Sequence, residues 1–202
     1  MAQIDYFLST LSPFTYLAAD QLEEIAARHG ATITYHPFDI ISTFARTGGT
    51  HPAERHASRV AYRLQDLARV SKRTGLALNL KPRHWPTNPA PASYAIIAAQ
   101  NAHGETGVGD VGLLVRSLLR ACWSEEKDIA EDETIKASLT EAGFDPALTD
   151  SGLMIGAETF ARNNEQAVLR GVFGAPSYLV DDQVFWGQDR LSYLDDYLGA
   201  QT

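Results

Sequence analysis

Cysteine is almost absent: Cys122 is alone among 202 residues. One thiol cannot close an internal disulfide, so dithiol redox chemistry is excluded unless that cysteine acts singly. No stretch approaches the ~20 apolar residues that a membrane-spanning helix needs. The opening run Met1-Ala2-Gln3-Ile4-Asp5-Tyr6 lacks the basic and then apolar order of a secretory signal. Positive charge is also scarce, with 17 Lys and Arg against 25 Asp and Glu and a formal net charge of -8. Such a surface repels phosphate backbones and anionic lipid, which argues against nucleic acid and membrane as partners. A cytoplasmic protein is the expectation. The six histidines are scattered, and no Cys partner or H-E-x-x-H run accompanies them. His51 and His56, five apart, would not lie side by side on a helix, so no metal site is expected.

Apolar residues make up 45% of the chain, enough for one good core or a core plus an inserted subdomain. Ile4, Tyr6 and Leu8 alternate with their neighbours and read as a short strand with a buried face. Ser12-Pro13 follows, and Phe14, Leu17, Ala18, Leu22, Ile25 and Ala26 then recur at three- and four-residue steps, predicting one helix closed by Gly30. Thr32 to Phe38 reads as a second strand. From Gly48 to Gly171 no strand signal stands out, and helices are expected over about 52–74, 92–102, 108–123, 132–141 and 158–172. Lys81 to Pro91, rich in proline, is expected to be an ordered loop. Strand signals return at Ser177 to Val180 and Val184 to Trp186, joined by Asp181-Asp182 as a hairpin. A last helix over about 190–198 has Asp189 placed as its N-cap. The order is β-α-β, a block of helices, then β-β-α. The first unit makes a parallel pair with a right-handed crossover, and the hairpin can extend the same sheet. Residues 1–46 and 172–202 then form one discontinuous α/β domain, with 47–171 inserted as an all-helical domain.

Two segments carry chemistry. A strand leads directly into Leu11-Ser12-Pro13-Phe14-Thr15. Proline is favoured at the first helical position, which leaves Ser12 as the N-cap. Ser12 can be a plain cap, worth roughly 1 kcal/mol. It can also do more, because a helix N-terminus carries unpaired N–H donors and partial positive charge. The thiolate of a bound ligand would be stabilised there, and a serine hydroxyl could donate a hydrogen bond to its sulfur. The second segment, Gly171-Val172-Phe173-Gly174-Ala175-Pro176-Ser177, enters the hairpin. Taken alone, Pro176 can be an ordinary turn proline at a strand edge. Phe14, Phe38 and Trp85 could line an apolar pocket or belong to the core.

Together these runs resemble one branch of the DsbA-type superfamily, that of the 2-hydroxychromene-2-carboxylate isomerases and kappa-class glutathione transferases. Ser12-Pro13-Phe14-Thr15 takes the place of Cys-Pro-x-Cys in the disulfide oxidoreductases. Gly174-Ala175-Pro176 is similar to the branch's Gly-x-Pro. Phe185-Trp186-Gly187-Gln188-Asp189-Arg190 is similar to its Phe-[aromatic or Gly]-Gly-x-Asp-Arg run. Arg59-x-x-Tyr62-x-x-x-Asp66-x-x-Arg69 resembles a Lys-x-x-Tyr-x-x-x-Asp-x-x-Arg helix, and Trp85-Pro86-Thr87-Asn88 a Phe-Pro-x-Asn loop. The similarity spans essentially all of the chain.

The resemblance implies a thioredoxin-like α/β fold with an inserted all-helical domain, and a cis Ala175-Pro176 peptide. It implies glutathione as cofactor, held by Ser12, Pro13, Phe14, Thr50, Ala175, Pro176, Asp189 and Arg190, with Ser12 on the sulfur. A small aromatic substrate would meet Arg59, Trp85 and Asn88, and a homodimer is the expected assembly. Two departures stand out: Thr50 occupies a position where the branch often has Asn, and Arg59 replaces a Lys, keeping charge but changing its geometry. The activity implied is glutathione-dependent cis–trans isomerisation of 2-hydroxychromene-2-carboxylate or a related aromatic catabolite. The alternatives are a kappa-like transferase or peroxidase using the same Ser12, and a redox-inactive thioredoxin fold that binds a partner.

Other signals are set aside. Gly107-Val108-Gly109-Asp110-Val111-Gly112 is a literal G-x-G-x-x-G, but no strand precedes it, as a dinucleotide fingerprint requires. Cys122, beside Trp123 in a helical apolar pattern, reads as a small buried hydrophobe. The acidic run from Glu125 to Glu133 reads as a solvated loop, with Asp132 placed to cap the next helix.

Overall fold

The computed structural model describes residues 1–201. Strand β1 (Gln3–Leu8) runs through a buried turn into a single helical turn, α1 (Pro13–Tyr16), then α2 (Gln21–His29), and returns as β2 (Thr32–Pro37). β1 and β2 pair in parallel, Ile4 opposite Ile33 and Leu8 opposite Pro37. On its other side β1 pairs antiparallel with β3 (Ser177–Val180), which pairs with β4 (Gln183–Trp186), giving the order β2-β1-β3-β4. α10 (Leu191–Gly199) closes the chain and packs on α2. Between β2 and β3 lie α3 (Ile40–Thr47), α4 (Ala57–Thr74), α5 (Ala90–Thr106), α6 (Val111–Trp123), α7 (Asp132–Glu141), α8 (Leu148–Ser151) and α9 (Leu153–Leu169). None of the described helices is long and apolar enough to cross a membrane.

β1 is central, so both of its faces are covered and alternate residues feed different clusters. Ile4, Tyr6 and Leu8 join Tyr178 and Val180 on one face, while Phe7 packs with Phe38, Val172 and Leu179 on the other. The first cluster continues through Leu22 into Leu114, Leu118 and Trp123 of α6. α5 also guards the open edge of β2. The Gln100 carboxamide accepts from the Tyr35 N–H at 2.7 Å and donates to the Tyr35 carbonyl at 3.1 Å. That satisfies a backbone pair which would otherwise invite another strand.

Several expectations need correction. The periodic run from Phe14 to Gly30 is two helices, because the chain turns between Leu17 and Asp20, with Ala19 at φ 55. Leu17 and Ala18 are buried through that turn, so the apolar spacing continues where the helix does not. The helix expected from Pro52 is a 3-10 turn (Pro52–Glu54) followed by α4 from Ala57. The His51 and His56 rings accept from the Ala53 and Ser58 N–H groups at the two starts. Asp189 is not the cap of α10. It lies in a 3-10 turn (Gln188–Arg190), its carboxylate accepts from Arg190 at 2.7 Å, and Arg190 holds the cap position. The cause is Gly187, whose φ of 110 swings the chain before the helix starts. Asp132 is likewise inside α7, pairing with Lys136 four residues on, while Glu131 occupies the cap position. α3 and α8 were not anticipated.

The G-x-G-x-x-G run has a packing explanation. A Cβ on Gly109 would stand 2.5 Å from the Phe144 ring, and one on Gly112 would stand 2.6 Å from the Glu23 carboxylate. Cys122 is buried, and burial together with the charges of Asp128 and Glu126 pushes its thiol pKa up to about 12. The reactive thiolate is therefore suppressed at neutral pH. Iodoacetamide at pH 8 should leave the native protein unmodified and label it once in denaturant, as read by mass spectrometry. Prompt stoichiometric labelling of the native protein would contradict this.

Candidate active site

The site begins where β1 ends. Ser9, Thr10, Leu11 and Ser12 form a buried turn held from outside by two indoles. Trp123 Nε1 donates to the Thr10 carbonyl at 3.3 Å and Trp85 Nε1 to the Leu11 carbonyl at 3.2 Å, the two rings lying 5.7 Å apart. Ser12 follows in an extended conformation, with Pro13 at the first helical position. Its hydroxyl oxygen accepts from the Thr15 N–H at 3.2 Å, as a capping serine does. Its proton goes elsewhere, to the Ala175 carbonyl at 2.9 Å, 163 residues away. The Ala175-Pro176 peptide is cis, and the Gly187 N–H ties the Pro176 carbonyl to the end of β4 at 2.9 Å. Among the described residues, the N–H groups of Phe14 and Ala175 have no hydrogen-bond partner.

Three cavities with shared walls meet at this point. The middle one, about 150 Å³, is lined by Ser12, Pro13, Phe14 and Ala175, with Arg55, Arg63, Trp85 and Trp186 around it. A larger cavity of about 590 Å³ shares Ile41, Arg55, Arg63 and Trp85 and adds Val60, Pro86 and Thr87. A polar recess of about 260 Å³ shares Phe14, Ala175 and Trp186 and adds Asp66, Gln188, Asp189 and Arg190. Trp186 is half exposed and meets Phe173 edge-on at 4.8 Å. Gly174 makes that placement possible, since a Cβ there would stand 2.1 Å from the indole nitrogen.

Ser12, Pro13, Phe14 and Ala175 are thus brought together, with Pro176 buried behind them, Asp189 and Arg190 at one end and Trp85 at the other. Three anticipated residues are not in these walls. Thr50 is exposed, and only its carbonyl takes part, accepting from Arg55 Nε at 3.2 Å. Arg59 is exposed on α4. Asn88 is exposed and accepts the Ala90 N–H at the start of α5, while its neighbour Thr87 lines the large cavity. Residue spacing missed Arg55, Arg63 and Trp186. The available signal for Arg63 was its place one helical turn beyond Arg59, beside the apolar stripe through Leu67.

The large cavity is electropositive. Arg63 is half-buried, 5.8 Å over the Trp85 ring, and Arg55 lies 5.2 Å over the Phe44 ring. Burial, and then the neighbouring charge of Arg55, lowers the Arg63 pKa, and burial and Arg59 lower that of Arg55. Neither guanidinium pairs with a carboxylate among the described residues. Asp39, the one carboxylate in that wall, is used as the N-cap of α3, accepting from the Ile41 and Ser42 N–H groups.

A serine-capped helical turn facing a Gly-x-Pro loop, on a sheet whose halves are separated by helices, defines a class. The chain belongs to the DSBA-like thioredoxin-domain family, whose model matches residues 3–199. Within it, the sequence is 31% identical to the 2-hydroxychromene-2-carboxylate isomerase of Sphingobium xenophagum, over 96% of this chain and 97% of that one. It is 29% identical to the protein of the same name from Pseudomonas putida, over 97% and 94%. A solved structure of a 2-hydroxychromene-2-carboxylate isomerase matches with a TM-score of 0.76 at 25% identity, covering 98% of this chain and 95% of that one. The cytosolic disulfide reductase DsbM from Pseudomonas aeruginosa, solved with GSH, shares the fold with a TM-score of 0.66 at 17% identity, over 98% and 99%.

Proposed function

We propose that the protein is a glutathione-dependent isomerase acting on 2-hydroxychromene-2-carboxylate or a related aromatic catabolite, with Ser12 as the residue that activates the cofactor thiol. The observation that carries this reading is the position of Ser12, whose hydroxyl meets the Ala175 carbonyl between a polar recess and an apolar cavity. The residues present fit glutathione. Ala175 offers an unpaired N–H beside its carbonyl, the donor and acceptor that an extended peptide needs. The recess holds both signs of charge, Asp66 and Asp189 with Arg190, as a zwitterionic γ-glutamyl end requires.

Bound glutathione would supply a thiolate for reversible addition to a conjugated carbon of the ring-opened substrate: the C=C bond would become single as its electron pair moves onto the conjugated carbonyl, and return of that pair after rotation would re-form the double bond and release the thiolate. Ser12 has one proton to give, and in the free protein the Ala175 carbonyl holds it. A peptide N–H taking that carbonyl leaves the hydroxyl able to turn toward the sulfur. α1 is only one turn long, so little macrodipole acts here. The Phe14 N–H and the nearby charges of Arg55 and Arg63 take over the task of favouring an anion. The large cavity excludes water around the aromatic part of the substrate. The setting this reading implies is a homodimer in the cytoplasm, with the thioredoxin-like and helical segments as its two domains.

Calorimetry should detect reduced glutathione binding at millimolar concentration or below, and the protein should show no insulin-reducing activity. A spectrophotometric panel of ring-opened aromatic pyruvates should then reveal turnover that needs glutathione. No heat of binding at millimolar glutathione would overturn the reading. Release of conjugates or oxidised glutathione in place of isomer would reassign it to a transferase or peroxidase.

A further inference from the structure

The large cavity holds two guanidinium groups and one carboxylate, Asp39, whose oxygen is committed to capping α3 and pairs with neither of them. A guanidinium stays charged at any working pH. Half-buried against largely apolar walls and paired with no carboxylate, it is poorly compensated until a ligand brings negative charge. Arg63 is such a group: its head lies over Trp85, it makes no hydrogen bond among the described residues, and it lines both the large cavity and the one containing Ser12. Arg55 stands beside it, with one N–H given to the Thr50 carbonyl. The remaining wall is mostly apolar, with Ile41, Val60, Trp85 and Pro86 beside the polar Asp39, His51 and Thr87, and about 590 Å³ is within the ordinary range for a small-molecule site.

We propose that Arg63, supported by Arg55, is the carboxylate receptor of this cavity. It selects planar aromatic acids that lie along Trp85, in place of the exposed Arg59. A carboxylate can take two parallel N–H donors from one guanidinium, which fixes orientation as well as charge. Its position on the shared wall keeps the acid end of the ligand beside Ser12. The inference rests on the isomerase reading for its reaction, but not for its binding chemistry.

The test uses 2-naphthoate and its uncharged counterpart 2-naphthamide as probes, titrated into the full chain and followed by tryptophan fluorescence and calorimetry. The wild type should prefer the acid by about ten- to a hundredfold, the range expected of a charge-assisted hydrogen-bonded pair. Arg63→Leu should abolish that preference while keeping naphthamide binding, and Arg59→Leu should leave it unchanged. Arg63→Lys, which keeps the charge and loses the fork, should reduce the preference several-fold. This milder variant decides the matter should Arg63→Leu fail to fold. Equal binding of the two probes by the wild type would overturn the proposal. So would an undiminished preference in the Arg63 variants, or its loss in Arg59→Leu. Because these titrations contain no glutathione, an acid preference that survives a failed glutathione titration would sink the isomerase reading and leave this inference standing.

Discussion

Ser12→Ala should lower glutathione-dependent turnover by about one to two powers of ten. The magnitude follows from a hydrogen bond to a charged sulfur, worth ~1.5–3 kcal/mol. The same change removes the acceptor for the Thr15 N–H and the donor to the Ala175 carbonyl. The lost cap costs about 1 kcal/mol of stability, so the variant should fold. Activity should fall without vanishing, because the Phe14 N–H and the charges of Arg55 and Arg63 remain. In the same variant the pKa of bound glutathione should rise, since the hydroxyl favours the thiolate over the thiol. Thiolate absorbance against pH measures that directly. Full rates together with an unchanged titration would reduce Ser12 to a helix cap and remove the basis of the proposed chemistry.

Trp123→Ala should give the largest loss of stability. Trp123 is 1% exposed and is among the largest fully buried side chains. Truncating a buried tryptophan typically costs about 3–5 kcal/mol, part transfer and part cavity. For a chain of this size that corresponds to a fall in Tm of roughly 6–20 °C. Part of the effect is polar, since the Thr10 carbonyl would lose the indole N–H that reaches it at 3.3 Å. Trp123→Phe separates the two: it keeps most of the ring volume and leaves that buried carbonyl without its donor, a loss of about 1–3 kcal/mol. Both variants loosen the turn that presents Ser12, so turnover should fall further than stability alone accounts for. A Trp123→Ala melting curve within 2 °C of wild type, roughly 1 kcal/mol or less, would show that the indole does not hold this turn.

Much of the architecture was legible because it is local. The period-two run at Ile4, Tyr6 and Leu8, the Ser12-Pro13 helix start and the short hairpin after Pro176 each follow from a few neighbouring residues. The break between α1 and α2 was not legible. Leu17 and Ala18 keep their apolar spacing through the turn, and no glycine or proline marks it. Asp189 had the right residue type for a cap, yet the left-handed Gly187 spent its position on a 3-10 turn. Arg59, Thr50 and Asn88 matched family positions in order, but order along a chain does not say which turn of α4 or which side of a loop reaches a cavity.

By itself, then, the sequence determined the order of the strands and of the longer helices, the exclusion of a dithiol by a lone Cys122, and a serine at the head of a helical turn. Tertiary structure alone decided that the Ser12 hydroxyl meets the Ala175 carbonyl, that Trp85 and Trp123 brace the turn before it, and that Arg63 rather than Arg59 lines the cavity. Propensity, capping and periodicity act over a few residues, and each leaves its own mark in the sequence. A contact between residues 163 apart, or which turn of α4 lies against the cavity, depends on how whole elements pack, which no short segment encodes.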